Sequence, residues 1–178
     1  MHPRVSIPLL ALVICGVFAT HIQIEPTENG NLLAIDGRKV DLLGHVNNQW
    51  VALTRSCQNV TMLGVDEALL RQAQSTIQNY SPPNSQSAQI ASAWSSGAWL
   101  LVEVEFDDLL PAVVTLTQAN GALSVVPNAI WSGYTQPWVA APFIRDYLSR
   151  QAPEMPSDLV KCFTPRSKSF TQNVLSPG

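Results

Sequence analysis

The carboxylates of Glu103, Glu105 and Asp107, with Asp108 beside them, form the densest group of side chains in this sequence that could do chemistry. From Val102 to Phe106 apolar and acidic residues alternate, which is a strand pattern, and alternate residues of a strand share a face. The three carboxylates would then stand about 6.6 Å apart along the backbone, with Val102, Val104 and Phe106 turned to the core. Three readings follow. The ordinary one is a solvated outer face whose acids discourage edge pairing. The second is a docking surface for a basic partner. The third is acid/base chemistry, because the spacing touches the lower range for inverting glycosidases. That chemistry also needs a cleft and one carboxyl with a raised pKa, and the sequence signals neither.

Tryptophan supplies the next group. Trp94 and Trp99 fall together, as do Trp131 and Trp138, and Ile130 to Trp138 reads as a long irregular connection carrying Trp131, Tyr134 and Trp138. Aromatic side chains on such a connection stack on sugars or anchor a protein partner; the plainer reading is that they plug the open end of a sheet. Trp131, Tyr134, Trp138, Glu103, Glu105 and Asp107 are therefore the candidate binding residues.

Nucleophile and metal patterns are poor. Outside the first residues only His21 and His45 remain, with no His-x-x-x-His, no Gly-x-Ser-x-Gly elbow and no Gly-rich phosphate loop. No catalytic residue, metal ligand or cofactor is assigned. Asn59-Val60-Thr61 and Asn79-Tyr80-Ser81 are formal glycosylation sequons.

Arg4 followed by an uncharged run from Val5 to Phe18 is the layout of a secretory signal, and Val17-Phe18-Ala19 suits cleavage after Ala19. An uncleaved anchor is the rival reading, since a run of this length spans a bilayer that thins around it. Either way the rest of the chain is expected in the periplasm or secreted. Removing 19 of 178 residues leaves 159, and losing Arg4 leaves nine basic against thirteen acidic groups, a net charge of −4. With no basic cluster, nucleic acid and anionic lipid surfaces are disfavoured partners. Contact with a membrane is expected only through an uncleaved N-terminal segment. Two cysteines survive cleavage, Cys57 and Cys162, and an even pair in an oxidising compartment is expected to form a disulfide.

The elements that must position these residues begin with two hairpins. Asp36-Gly37 and Asn120-Gly121 each separate strand-like runs and fit type I′ turns. The first hairpin's second strand reads from Arg38 to Leu43, and further strands read from Trp50 to Thr54 and from Trp99 to Phe106. Asp66 and Glu67 open a helix whose stripe is Leu69, Ala73 and Ile77. A shorter helix reads from Ser87 to Trp94. Another starts near Pro142 and carries Ile144, Tyr147 and Leu148, with Arg145 and Arg150 on its polar side. A last one runs from Ser157 to Phe163. The expected fold class is α+β: an antiparallel sheet built from hairpins and packed on one face by two or three helices. The expected organisation is a signal at 1–19, one domain over 20–164 and a flexible tail over 165–178.

The function that best fits an exported chain lacking a catalytic set is binding of another protein, as an inhibitor or immunity protein or as a secretion or envelope-assembly component. The alternative is a small cell-wall-directed hydrolase or a glycan-binding module.

Overall fold

The computed structural model describes residues 21–64, 67–166 and 170. The expected signal, Asp66 at the expected helix start, and the expected tail apart from Pro165, Arg166 and Phe170 lie outside the described residues.

The fold is α+β, with two antiparallel sheets and helices packed on them. A three-stranded sheet comes first: β1 (Ile22–Thr27), β2 (Gly30–Ile35) and β3 (Arg38–Val40), in that order. Helix α1 (Leu42–Thr54) follows. The larger sheet holds β4 (Thr61–Met62), β5 (Gln89–Ser96), β6 (Trp99–Glu105), β7 (Ala112–Ala119) and β8 (Ala122–Ser132), each beside its sequence neighbour. Helix α2 (Ala68–Gln78) lies between β4 and β5 in the chain, and α3 (Ala140–Gln151) and α4 (Ser157–Cys162) follow β8.

Both expected hairpins form. Asp36 and Gly37 take φ of 49° and 79°, and Asn120 and Gly121 take 52° and 80°, the left-handed pairs that a type I′ turn requires. They set the registers Ile35 opposite Arg38 and Ala119 opposite Ala122.

The larger sheet is covered on both faces, where one covered face was expected. The reason lies in β6, the middle strand. Leu100, Val102 and Val104 point one way and Leu101 and Glu103 the other, and none is more than 1% exposed. On the first face Leu70, Ala73 and Ile77 of α2 close the core. On the second, Trp94, Leu101, Val113 and Trp131 meet Ile144 and Leu148 of α3 and Leu159 of α4, and the Trp94 ring stands edge-on to Phe163 at 5.0 Å. A sheet apolar on both sides has to be sandwiched to remove both from water.

Two expected elements take other forms, and two expected helix faces are placed differently. Trp50 to Thr54 ends helix α1 instead of forming a strand, because Asp41 caps a helix that stops β3 at Val40. Ser87 to Trp94, read as helical from its alanine, serine and glutamine content, is mostly β5, where the small Ala93 lies beneath α2 while Trp94 fills the opposite core. Arg145, expected on the polar side of α3, is only 7% exposed. In α2 the buried stripe runs through Leu70 rather than Leu69, which stays partly covered.

Candidate functional site

Helix α1 is built with its apolar side outward. Asp41 accepts the Gly44 N–H at 2.7 Å and so satisfies one of the free donors of the first turn. From there Gly44, Asn48, Val51 and Arg55 recur at helical spacing and are the partly covered positions, the side turned to the rest of the protein. On the opposite side stand Leu42, Leu43, Val46, Trp50 and Leu53, which are 51%, 64%, 60%, 67% and 81% exposed. A surface helix ordinarily turns such a stripe to the core. Here none of its residues is buried.

Polar links fix this orientation. The second oxygen of Asp41 accepts the Val139 N–H at 3.0 Å, just before α3. Midway, Arg145 Nη1 donates to Asn48 Oδ1 at 3.3 Å, while its Nε donates to the Phe163 carbonyl at 2.9 Å. Burial, and then the charge of Arg55, push the Arg145 guanidinium down to about 10, which leaves it charged at neutral pH. At the far end Arg55 Nη1 donates to the carbonyls of Lys161 and Cys162, both at 3.3 Å, and to Thr164 Oγ1 at 3.0 Å. The Cys57–Cys162 disulfide follows two residues later, with Cα atoms 5.8 Å apart. The inner side of α1 is thus held mainly by hydrogen bonds, with the disulfide just beyond its end, and its outer apolar side chains stay half or more exposed.

His45, Val46, Gln49, Trp50 and Leu53 line a shallow groove of about 360 Å³. Leu42 and Leu43 carry the apolar surface on to Ile24 and Leu33 of the first sheet, around a recess of about 210 Å³. A separate apolar recess of about 310 Å³ lies beside the end of α2, between Tyr80, Phe106, Leu109 and Leu110.

The acidic strand does not form one face in water. Glu103 is fully buried, accepting from Ser92 Oγ at 2.5 Å and from the Arg166 N–H at 3.0 and 3.1 Å. Glu105 is half-buried at the end of β6, and Asp107 is exposed beyond it, its N–H donating to Ser87 Oγ at 3.3 Å. The three are not brought together. The expected aromatic loop is also divided: Trp131 lies on β8, 7% exposed and edge-on to Phe170 at 5.3 Å. Trp138 is half-buried and stacks on Phe143 at 5.8 Å. Tyr134 is the exposed member of the group. Among the described residues no three His, Cys, Asp or Glu side chains converge as a metal site. No family model, curated protein or solved structure matches the chain.

The sequence reading missed α1 altogether. The spacing of Leu43, Val46, Trp50 and Leu53, three, four and three residues apart, was there to be read as one helical stripe. Trp50 and Val51 favour strands individually, and that local preference hid the longer period.

Proposed function

We propose that this is an exported protein, periplasmic or secreted, that acts without catalysis by docking onto another protein through the outer face of α1. The single observation that carries the reading is the inverted helix. Exposed apolar patches beyond a few hundred Å² are uncommon on monomers and mark interaction sites. A helix tied down by Asp41, Arg145, Arg55 and a disulfide holds such a patch rigidly, which lowers the entropy lost on binding. The disulfide also suits an oxidising compartment, as the Arg4 to Ala19 segment does. Hydrolysis by the acidic strand draws no comparable support, since Glu103 is sequestered beneath Arg166.

The test is the double variant Trp50→Asp/Leu53→Lys, which changes only exposed side chains. A stoichiometric protein partner bound by the wild type should be lost by the variant at unchanged melting temperature. A partner retained by the variant would overturn the reading, as would turnover of cell-wall glycan by the wild type.

A further inference from the structure

Three features of the outer face of α1 bear on what covers it. The first is symmetry. Leu43, Val46, Trp50 and Leu53 are spaced three, four and three residues apart, so the stripe reads the same in both directions about a centre at position 48. Two such helices laid antiparallel across a two-fold axis place Leu43 against Leu53 of the partner and Val46 against Trp50. Small then faces large twice over, the arrangement that lets facing side chains interdigitate. This spacing is also that of a helix–helix seam, in which knobs of one helix enter holes of the other.

The second feature is charge. Helix α1 contains no Asp, Glu, Lys or Arg, so two copies meet along it without like-charge repulsion. The lack of Lys and Arg also separates it from helices that lie on anionic membranes, which hold the surface through basic side chains. The third is area. Pressing together two faces of five large side chains, each half to four-fifths exposed, would remove at most about 1,200 Å² from water, which reaches the lower end of the range for specific, stable interfaces.

We infer that the partner seated on α1 is a second copy of this chain, packed as an antiparallel α1–α1 pair about a two-fold axis. The inference rests on the reading of α1 as a docking face and names its occupant. An isologous contact of this kind closes on itself and yields a dimer rather than a filament.

Sedimentation equilibrium of the exported, disulfide-intact protein tests this. The wild type should dimerise, and Leu43→Glu or Leu53→Lys alone should weaken the dimer by about 10- to 100-fold, since each puts an unpaired charge opposite leucine at both ends of the seam. Combining the two substitutions should recover most of that loss, because the antiparallel pairing sets each glutamate against the partner's lysine. A dimer indifferent to the single variants, or one that the double variant fails to rescue, would overturn the inference. A monomeric wild type whose stoichiometric partner is lost on Trp50→Asp/Leu53→Lys would also overturn it while leaving the docking face intact. Co-sedimentation of the wild type with vesicles of neutral phosphatidylcholine, abolished by Leu53→Lys, would overturn both in favour of a bilayer surface.

Discussion

The Asp41 carboxylate holds the N–H of Val139 with one oxygen and that of Gly44 with the other, at 3.0 and 2.7 Å, and so joins the starts of α3 and α1 across 98 residues of sequence. Asp41 is 4% exposed, so neither bond is readily replaced by water. Asp41→Ala should therefore lose more than an ordinary helix cap, about 2 kcal/mol, because two partly buried donors lose their acceptor together. Asp41→Asn keeps one acceptor and should lose less. Urea denaturation of both variants is the measurement, and a loss below 0.5 kcal/mol for the alanine variant, the range of an ordinary surface change, would refute the double cap.

Gly44 gives a prediction whose sign opposes helix propensity. Alanine in a helix is favoured over glycine by about 1 kcal/mol. A Cβ on Gly44, however, would overlap the side-chain oxygens of Asp41 that cap the same helix. Gly44→Ala should destabilise the protein, and in the Asp41→Ala background the same change should become neutral or stabilising. Thermal melts of the two single variants and the double close this cycle.

The disulfide links residues 105 apart. Closing a loop of that size is worth about 4.7 kcal/mol in the chain-entropy treatment, an upper figure that native strain usually reduces. Cys57→Ser and Cys162→Ser should each lower thermal stability, and the double variant should be no worse than either single, since one bond is lost in all three. Because the bond lies just past α1, reduction should also raise protease sensitivity between Thr54 and Val60 before the larger sheet opens. Cleavage beginning in β5 or β6 would count against that order.

Features set by neighbours in sequence were legible before the fold was known, and features set by distant contacts were not. The Asp36-Gly37 and Asn120-Gly121 turns need only their own left-handed φ values and adjoining strands. The pairing of Cys57 with Cys162, although 105 residues apart, needed no knowledge of the fold, because setting Cys15 aside in the expected signal leaves two cysteines to pair. Ile144 and Leu148 of α3 kept their period because that helix has one apolar side buried. The inward positions of α1 and its C-cap, Gly44, Asn48, Val51 and Arg55, are mostly polar or small, so a rule that apolar sides face the core assigns the helix backwards. The alternation of Val102 and Val104 with Glu103 holds in β6, but the face that Glu103 shares is covered by chain far away in sequence, including the Arg166 N–H it accepts from 63 residues on.

Glu103 accordingly behaves as a core residue in the next prediction. Its carboxylate accepts from Ser92 Oγ on the neighbouring strand and from the Arg166 N–H. Removing a buried, hydrogen-bonded carboxylate leaves its donors unsatisfied, so Glu103→Ala should cost about 2–4 kcal/mol. Ser92→Ala should cost about 1 kcal/mol, and the two effects should be non-additive because the residues share a bond. Equilibrium denaturation of the four-member cycle measures this, and a Glu103→Ala change within 0.5 kcal/mol of wild type would restore the solvated-face reading.

Arg145 ties α3 to α1 through Asn48 and to the end of α4 through the Phe163 carbonyl, with Thr164 Oγ1 a longer 3.5 Å from its third nitrogen. Arg145→Met keeps much of the apolar stem but leaves the Phe163 carbonyl without this donor, while relieving the burial of a charge. The balance should be a loss of about 1–2 kcal/mol. The pH dependence separates these effects. Burial, followed by the charge of Arg55, lowers the folded pKa from the ordinary guanidinium value to about 10, so the folded and unfolded chains both hold this proton well below pH 10. From about 10 up to the ordinary guanidinium value the unfolded state binds more protons than the folded one, and stability contributed by this group rises with pH. The difference between wild type and Arg145→Met should therefore stay flat from pH 5 to 8 and shift in favour of the wild type only in strong base. Urea denaturation at intervals across the flat window tests this directly. A difference that shrinks toward pH 5 would mean that Arg145 is held by a titrating carboxylate rather than by the neutral acceptors of Asn48 and Phe163, and α1 would then be fastened by an ion pair that acid could release.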